Sequence, residues 1–386
     1  MDFQLTDTQK QLQETARRFA RKELTDLARE LEEKNIPVPL EIRKKYAELG
    51  FLGINLPEQY GGLGLGHIEA LIVLEEFAQV SPAVAFPIFE SATGPVRTVA
   101  TFGSDTLKER IIPKVISGDI VVAVSMSEPS AGTALTDLTT RARIEDDEII
   151  VTGQKRWCSG GGHSDAYIVY CRLSDAPGAA GIGAVLVEKD RDGIQFGRPE
   201  ELMGFRGIPS SDIFLDDVRV PADNIIVPAG GFKNLMEAFS LERCGNATMS
   251  LAIAAAALEE ALEYTKERKQ FGKTIVDFQA VQIKLAEMTI KIEASRLLIW
   301  RAAQNAASGL PTSSDSSIAK CYANEIVREV SSAGIQLMGG YGYSKEYRME
   351  QRLRDSYGWG IAGGTIDIQK INIAASLVGR RFNQRS

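Results

Sequence analysis

The sequence has few of the residue types on which metal centres and disulfide frameworks depend. Among its 386 residues there are only two histidines and four cysteines. A multi-histidine zinc or iron site is therefore excluded, and a Ser-His-Asp triad would have to use His67 or His163. The cysteines are widely spaced and show no paired metal-ligand pattern, so we expect reduced thiols and no metal.

The chain also lacks long apolar runs and an excess of positively charged residues. No run of about 18 apolar residues is present, so we expect no membrane span. The N-terminal segment is amphipathic and charged, without the apolar core of a secretory signal, which favours a cytoplasmic protein. Lys and Arg number 44 against 51 Asp and Glu, so no general basic field is available for nucleic acid. An anionic ligand would have to be bound by a few local arginines and helix N-termini.

Hydrophobic periodicity divides the chain into three parts. Apolar residues recur at helical spacing in 1–120, which predicts an N-terminal α-helical domain. In 121–229 the period changes to two, with short runs separated by turn residues, which predicts an antiparallel β-barrel or sandwich. In 230–386 long helical patterns return and predict a four-helix bundle, whose first helix exceeds 30 residues. We therefore predict an α+β fold in which the three domains pack as one body.

Two polar segments of the predicted β domain could bind a flat or phosphorylated ligand. In SMSEPSAGTALTDL (125–138), a strand runs into a turn that exposes backbone N–H groups and hydroxyls. In QKRWCSGGG (154–162), glycines would let the backbone approach a flat ligand on which Trp157 could stack. The alternatives are a plain strand-to-loop connection for the first segment and a tight turn with a core tryptophan for the second.

Two further segments lie in the C-terminal part. In ERKQFGK (267–273), basic residues surround Phe271 and Gly272 at the end of a long helix, either as a clamp for pyrophosphate or as an ordinary capped helix end. Glycine-rich turns in 335–343 and 352–369 each adjoin a helix. The helix that begins near Thr365 offers free N–H groups, which suit a phosphate or a polarised carbonyl.

In their joint occurrence and order these segments resemble the acyl-CoA dehydrogenases, flavin-dependent enzymes that desaturate thioesters between the α and β carbons. The resemblance covers nearly the whole chain and rests on SEPSAGT, KRWCSGG, ERKQFGK, GGYGY and GGT. It implies an N-terminal α-helical domain, a central antiparallel β-barrel and a C-terminal four-helix bundle. It also implies FAD as cofactor, an acyl-CoA substrate, a homotetramer, and an electron-transfer flavoprotein as acceptor.

The resemblance implies two sets of ligand-binding residues. The acyl-CoA would contact Thr133, Arg243, Glu90 and Gly364. Arg268 and Phe271 would reach the FAD of a neighbouring subunit, so cofactor binding would require the tetramer. Asp367 stands where a glutamine is common near the FAD pyrophosphate. The residues that would hold FAD are Met126, Ser127, Trp157, Ser159, Arg268, Phe271, Gln336, Gly340, Thr365 and Asp367.

The sequence departs from much of the family at the catalytic base. Many members carry a glutamate directly before the final Gly-Thr of this turn, where this chain has Gly363. Isovaleryl-CoA and long-chain dehydrogenases instead carry the base on the long helix, immediately before an arginine. This chain has Glu242 before Arg243 there, so we predict that Glu242 abstracts the α-proton. Its alternative role is a solvated carboxylate paired with Lys233 or Arg243.

The chemistry requires the base and the flavin on opposite faces of the substrate, and donors that polarise the thioester carbonyl. The backbone N–H near Gly363 is a candidate donor. The glycines at 363 and 364 leave room for a short, branched or cyclic acyl group. Glu90 would close the acyl pocket or bind or deprotonate an unusual substrate, with a surface acid as its alternative.

Other functions on the same scaffold remain open at this stage. Enoyl-CoA reduction, dehydrogenation of an acyl-carrier-protein thioester and non-oxidative elimination on a substituted acyl-CoA all fit the motifs. Retention of Glu242 favours proton abstraction. A flavin-free scaffold protein is disfavoured because Ser127, Trp157, Arg268 and Thr365 are present, and a flavin monooxygenase would not need Arg243 beside a carboxylate.

Overall fold

Helices, a sheet and helices follow one another along the chain, as the periodicity predicts. The structure, a computed structural model, describes residues 4–306 and 309–382. A π-helical turn at Phe89–Thr93 interrupts the first helical part between its fifth and sixth helices. The α-helices of this part are α1 (Asp7–Glu23), α2 (Thr25–Lys34), α3 (Leu40–Glu48), α4 (His67–Val80), α5 (Pro82–Ile88), α6 (Pro95–Phe102) and α7 (Asp105–Ile116).

The middle part is one twisted sheet built mainly from antiparallel pairs. Its path runs β6-β7-β3-β2-β4-β5-β8, and β1 pairs with β4 in parallel. The strands are β1 (Val122–Ser125), β2 (Arg141–Glu145), β3 (Glu148–Ser159), β4 (Ala166–Arg172), β5 (Ile182–Glu188), β6 (Ile194–Phe196), β7 (Ser210–Pro221) and β8 (Ile225–Val227).

The sheet differs from the predicted antiparallel barrel in two respects, the first of which is that within the described residues it does not close. The strands at the two ends of the path, β6 and β8, have three residues each and do not pair with one another. The parallel pairing of β1 with β4 also departs from an all-antiparallel barrel. β1 and β4 are not joined by a tight turn but by a long connection that contains the β2–β3 hairpin, as a parallel pair requires.

Four long helices form most of the last part, as predicted. They are α8 (Phe232–Glu267), α9 (Gln279–Asn305), α10 (Ser313–Met338) and α13 (Ile366–Val378). The 36 residues of α8 confirm the prediction of a helix longer than 30 residues. Between these helices lie two short strands, β9 (Lys269–Gln270) and β10 (Lys273–Thr274), and two short helices, α11 (Gly340–Tyr343) and α12 (Met349–Asp355).

The predicted cap at the end of α8 is wrong in detail. The helix ends at Glu267, and Gly272 is not its capping residue. Phe271 (φ 53°) and Gly272 (φ 82°) are the two central residues of a tight hairpin turn between β9 and β10. Two successive residues with positive φ are the signature of a type I′ turn, which matches the twist of the flanking strands.

Most of α8 is buried because it packs against α4, α9, α10 and the π-helical turn. Gly245 permits this close approach: a Cβ atom there would lie 2.1 Å from Thr93 Oγ1 and 3.1 Å from a ring carbon of Phe89. The small residue therefore sets the π-helical turn directly against α8. All four cysteines are free and buried. In the described part of the chain, every helix is too short or too polar to cross a bilayer.

Gly245→Ala should destabilise the fold because it overpacks the contact between α8 and Thr93. We expect a loss of about 1–3 kcal/mol in the free energy of unfolding, measured by chemical denaturation. Gly132→Ala is the control, because no atom lies within 4 Å of its added Cβ. Equal stability of the two variants would contradict the close approach.

Candidate active site

A cavity of about 1390 Å³ lies where the first helical part, the sheet and the last helices meet. It brings together residues that are far apart in the sequence. Five of the site residues predicted from the sequence do not line this cavity: Arg268, Phe271, Gln336, Gly340 and Asp367. The predicted site residues that line it are Glu90, Met126, Ser127, Thr133, Trp157, Ser159, Glu242, Arg243, Gly363, Gly364 and Thr365.

A buried ion pair holds one wall of the cavity, the loop after β1. Lys155 Nζ donates to Glu128 Oε1 at 2.8 Å and to the Met126 carbonyl oxygen at 3.3 Å. The other oxygen of Glu128 accepts from the Thr139 N–H at 2.6 Å. Burial alone would raise the pKa of Glu128, but the charge and hydrogen bond of Lys155 lower it to about 2. The carboxylate therefore stays ionised and holds Lys155 in place, and Lys155 in turn holds the Met126 carbonyl group.

Trp157 lies at a bulge in β3 and is 53% exposed, which contradicts the alternative of a core tryptophan. Its φ is 60°, uncommon for a residue with a bulky side chain. The Arg156 guanidinium lies 4.3 Å from the centre of its ring, and the Arg156 N–H donates to the Ser127 carbonyl oxygen at 2.9 Å. A strained, exposed ring on the cavity wall is a suitable platform for a planar ligand.

Glu242 projects from α8 into the cavity and is not the solvated, paired carboxylate of the alternative. Lys233 pairs with Glu237 at 3.6 Å, and the Arg243 guanidinium donates to Ser240 Oγ at 3.1 Å. Burial raises the pKa of Glu242 to about 8, although the positive charges of Arg243 and Lys320 oppose the rise. A carboxyl with this pKa exchanges its proton near neutral pH, as an acid–base catalyst must.

Glu90 lies in the π-helical turn, lines the same cavity and is only 3% exposed, so it is not a surface acid. Its Oε2 atom has no hydrogen-bond partner among the described residues. Burial raises its pKa well above the usual range, the charge of Glu242 raises it further, and Arg43 opposes the rise. The cavity therefore contains two carboxyl groups that influence each other's titration.

Lys320, on α10, is a functional residue that the sequence reasoning missed. Its side chain is fully buried, and Nζ donates to the carbonyl oxygens of Trp359, Ala362 and Gly364 at 2.9, 3.0 and 2.7 Å. Burial lowers its pKa to about 7. Three carbonyl groups that converge on one ammonium fix the backbone on both sides of Gly363.

The turn that carries Gly363 requires glycine for its conformation. Gly363 has φ 66° and Gly364 has φ 82°, in the left-handed region that residues with a Cβ rarely adopt. A Cβ at Gly363 would also lie 3.2 Å from Asn246 Nδ2.

α13 begins directly after Thr365, which confirms the predicted start of this helix, and the Thr365 side chain caps it by accepting from the Ile368 N–H at 3.3 Å. The expectation of free N–H groups is therefore wrong in part: the Ile366 N–H donates to the Gly360 carbonyl oxygen and the Ile368 N–H to Thr365, although this first turn of α13 does border the cavity.

The remaining predicted residues lie away from the cavity, on surfaces of the last helical part. Phe271, in the hairpin turn, is 93% exposed. The Arg268 guanidinium lies 5.9 Å from the centre of the Tyr341 ring, next to Gly340. Gln336 and Asp367 are also exposed. Arg268 and Gly340 therefore share one surface region, and a single chain does not bring it to the cavity.

Eight aromatic side chains that the sequence reasoning did not single out also line the cavity, and four of them contact one another in a row: Phe86, Phe89, Trp359 and Phe205. These four come from α5, the π-helical turn, the turn before α13 and the loop before β7. The sequence signal for Lys320 was a charged residue among small ones in SSIAKCYAN. The aromatic residues gave no signal, because only the fold brings them together.

Comparison with known families identifies three matching domains. The N-terminal, middle and C-terminal domains of acyl-CoA dehydrogenases match residues 6–119, 123–218 and 229–378.

Individual relatives match over nearly the whole chain. The 3-sulfinopropanoyl-CoA desulfinase of Paraburkholderia xenovorans (strain LB400) is 35% identical over 99% of both chains. The caffeyl-CoA reductase-Etf complex subunit CarC of Acetobacterium woodii is 35% identical over 97% of this chain and 99% of its own. The structure of butyryl-CoA dehydrogenase from Megasphaera elsdenii superposes with a TM-score of 0.94 at 33% identity, covering 98% of this chain and 100% of the other.

Glu242→Gln should make the protein's stability less sensitive to pH. The pKa of Glu242 is about 8 in the folded chain against an ordinary value of 4.5. Its stabilising contribution is therefore complete below pH 4.5 and is lost as the pH rises through 8. Glutamine does not titrate. Between pH 5 and pH 9, the free energy of unfolding of the variant should therefore rise relative to that of the original chain, by on the order of 3 kcal/mol.

Urea denaturation at pH 5, 7 and 9 measures this difference. Glu237→Gln is the control, because Glu237 lies on the same helix but is exposed. Parallel pH curves for Glu242→Gln and the original chain would refute the raised pKa.

Proposed function

This chain belongs to the acyl-CoA dehydrogenase family, and we propose that it catalyses the FAD-dependent α,β-dehydrogenation of an acyl-CoA with Glu242 as the base. The observation that carries the proposal is the position of Glu242. It lies in the cavity, without an ion-pair partner among the described residues, and burial brings its pKa near the working range. Glycine at 363 leaves Glu242 as the carboxylate for proton abstraction.

FAD is the cofactor of this family, and the cavity walls suit it. The isoalloxazine ring of FAD would be held by the loop of Met126 and Ser127, the exposed ring of Trp157 and the hydroxyl of Ser159. The more polar parts of FAD would contact Thr365 and the N-terminus of α13. When bound, FAD supplies the acceptor for the hydride that leaves the β carbon. The strained conformation of Trp157 supports this assignment.

Glu242 would take the α-proton, and the electron pair of the broken Cα–H bond would form the new Cα=Cβ bond as a hydride leaves the β carbon. The base and the hydride acceptor must then lie on opposite faces of the acyl chain. Arg243 and Lys320 keep the pKa of Glu242 from rising beyond about 8. Expulsion of water by the acyl chain would strengthen the carboxylate as a base.

The turn around Gly363 would polarise the thioester carbonyl through its backbone N–H. An α C–H bond is otherwise too weakly acidic for a carboxylate to break. Lys320 would act as a positioning residue, since its three hydrogen bonds fix the peptide groups on both sides of that N–H. Thr133 and Arg243, also on the cavity wall, would contact the CoA part.

The acyl group would be short, branched or cyclic. The absence of side chains at 363 and 364 supports this size, within close bounds: a Cβ atom at Gly363 would lie 3.2 Å from Asn246 Nδ2, and one at Gly364 would lie 2.8 Å from Gln369 Nε2. Glu90 would contact the distal end of the acyl group.

Enoyl-CoA reduction is a second candidate, favoured by the pKa of Glu242. At neutral pH a carboxyl with a pKa of about 8 is largely protonated, and it could give its proton to the α carbon when the β carbon receives a hydride. The caffeyl-CoA reductase relative supports this direction. The desulfinase relative supports a third use of the scaffold, non-oxidative elimination.

The partners would be an electron-transfer flavoprotein and three further copies of the chain. The relative named as a subunit of an Etf complex supports the first. Exposed apolar residues support the association with further copies of the chain. They are Phe271 at the hairpin turn, and Ile283, Ile290 and Leu297 at seven-residue intervals along α9. In the homotetramer, Arg268 and Phe271 would reach the FAD of a neighbouring subunit.

Anaerobic titration of the purified holoenzyme with acyl-CoAs tests the reaction. A substrate should bleach the flavin absorbance, and the rate should rise with pH toward 8 as Glu242 loses its proton. Glu242→Gln should still bind the acyl-CoA but bleach about 10²–10⁴-fold more slowly, whereas Glu237→Gln should match the original chain. Undiminished bleaching by Glu242→Gln would exclude it as the base. Bound flavin that no acyl-CoA bleaches, but that is reoxidised by an enoyl-CoA after reduction with dithionite, would support the second candidate.

Arg268→Ala should weaken FAD binding although Arg268 does not line the cavity of its own chain. Loss of a contact from a neighbouring subunit should raise the Kd for FAD roughly tenfold, measured by flavin fluorescence on dilution, with native mass spectrometry reporting the tetramer. Lys266→Ala is the control, a nearby exposed cation paired with Glu263. An unchanged Kd in an intact tetramer would refute the intersubunit contact.

A further inference from the structure

A row of buried polar side chains runs between α8 and α10. Glu242, Asn246 and Ser250 follow one another at four-residue intervals along α8, and Lys320 and Asn324 do so along α10. Residues four apart lie on the same face of a helix. Asn246 is 2% exposed, Ser250 1% and Asn324 0%. We call these three residues, Ser250, Asn324 and Asn246, the polar seam.

The hydrogen bonds of the polar seam fix the direction of both amide groups. Asn324 Nδ2 donates to the Lys320 carbonyl oxygen at 2.7 Å, so Asn324 Oδ1 faces the other way, where it accepts from Ser250 Oγ at 2.9 Å. Asn324 Nδ2 also donates to Asn246 Oδ1 at 3.2 Å. Asn246 therefore presents its Nδ2 atom to the Ala362 carbonyl oxygen, 3.5 Å away. Donation runs in one direction, from Ser250 to the turn before α13.

The polar seam ends on the peptide group that joins Ala362 to Gly363. The oxygen of this group accepts from Asn246 Nδ2 and, at 3.0 Å, from Lys320 Nζ. The N–H of the same group belongs to Gly363, which lines the cavity, and it donates to no acceptor among the described residues. In a trans peptide the N–H points away from the C=O. The two donors that hold the oxygen therefore also set the direction of the free N–H.

We infer that the polar seam positions the Gly363 N–H that polarises the thioester carbonyl. Hydrogen bonds in a chain polarise one another, so the seam strengthens this N–H as a donor and also fixes its direction. Asn246, Ser250 and Asn324 do not line the cavity, and they act through the peptide group rather than on the substrate. The inference rests on the proposed function, because it adds positioning residues to the same site.

A purely structural role explains the polar seam less well. Burial removes an amide group from water, so a pair of buried amides stabilises a helix contact little more than apolar side chains of the same shape. The amides provide what apolar side chains lack, a donor of fixed direction at the end of the seam. This donor lies against the turn: a Cβ atom at Gly363 would be 3.2 Å from Asn246 Nδ2.

Infrared difference spectroscopy with acetyl-CoA labelled with ¹³C at its carbonyl tests the inference without turnover. Acetyl-CoA has no β carbon, so the holoenzyme binds it without oxidising it. A hydrogen bond from the Gly363 N–H should move the labelled carbonyl band to lower wavenumber than in water. Asn246→Leu and Asn324→Leu, which keep the size of the side chain but remove its donor, should each reverse part of this shift.

Thr248→Val is the matched control for these variants. Thr248 is a buried residue of α8 whose hydroxyl donates to the Cys244 carbonyl oxygen at 2.9 Å, outside the polar seam. The variant loses a buried hydrogen bond on the same helix and should leave the carbonyl band where it is. If Asn246→Leu does not fold, Asn246→Ser replaces it, because a serine hydroxyl on a helix bonds to the carbonyl four residues earlier instead of reaching Ala362.

Exchange of the methyl hydrogens of acetyl-CoA in deuterium oxide gives a kinetic measurement. Glu242 would remove an α-proton, exchange it with solvent and return a deuteron. Asn246→Leu should lower the exchange rate at saturation about 10-fold, with little change in the acetyl-CoA concentration that gives half of that rate, because the seam acts on the carbonyl and not on CoA. The double variant with Asn324→Leu should exchange no more slowly, since Asn324 acts through Asn246. Additive losses, or an equal loss in Thr248→Val, would overturn the inference.

The failure of this inference is distinguishable from failure of the proposed function. If Glu242→Gln abolishes exchange while Asn246→Leu and Asn324→Leu match the original chain in band and rate, the role of the seam is wrong and the base assignment stands. If the seam variants reverse the band shift but Glu242→Gln exchanges as fast as the original chain, the seam stands and Glu242 is not the base. An original holoenzyme that binds acetyl-CoA without shifting its carbonyl band would contradict the inference directly.

Discussion

The hydrogen bonds of the buried Lys320 ammonium group are the constraint on which the site depends. Three carbonyl groups from one irregular turn converge on its Nζ atom, and the turn has no regular secondary structure of its own to hold it. Removal of this donor would cost the carbonyl oxygen of the buried Trp359 its hydrogen bond, about 1–3 kcal/mol. The carbonyl oxygens of Ala362 and Gly364 would keep the hydrogen bonds donated by Asn246 Nδ2 and Gln369 Nε2. One side chain of α10 thereby determines where the Gly363 peptide lies, while its charge acts on Glu242 across the same space.

A second buried lysine, Lys155, holds another wall of the cavity, the loop after β1. The buried pair of Lys155 and Glu128 fixes the loop after β1 against the bulge in β3. Both lysines are fully buried, and both donate to main-chain oxygens as well as influencing a carboxylate. Ion pairs of this kind are weak contributors to net stability, but the loss of one partner is costly. They are better explained as devices that fix irregular backbone around a ligand than as sources of stability.

Much of the fold could be predicted from the sequence, because the order of periodicities, helical then alternating then helical, is a local property. The length of α8 and the cap at Thr365 are local in the same sense. The open path of the sheet and the parallel placement of β1 depend on pairings between distant segments, which periodicity does not encode. Gly272 illustrates the same limit: its role depends on where the helix ends, a boundary that propensity defines poorly.

The candidate site likewise contains residues that the sequence could predict and residues that it could not. Glu242 and the residues near Trp157 were found because family motifs carry them, and the cavity brings them together. Lys320 and the aromatic residues that line the cavity were missed because burial, not residue type, gives them their importance. The predicted residues at the hairpin turn lie outside the cavity of a single chain, as residues that act on a neighbouring subunit would.

The π-helical turn at Phe89–Thr93 determines the direction in which Glu90 enters the cavity. A π turn amounts to one residue more than an α-helix needs for the same span, and it changes the direction of every side chain that follows within the turn. Loss of a single codon here would convert the turn to regular helix and rotate Glu90 by about a quarter of a circle or more, away from its present position in the cavity. The length of this turn therefore determines where the Glu90 carboxyl group lies in the cavity, independently of the identity of the residues proposed to carry out the chemistry.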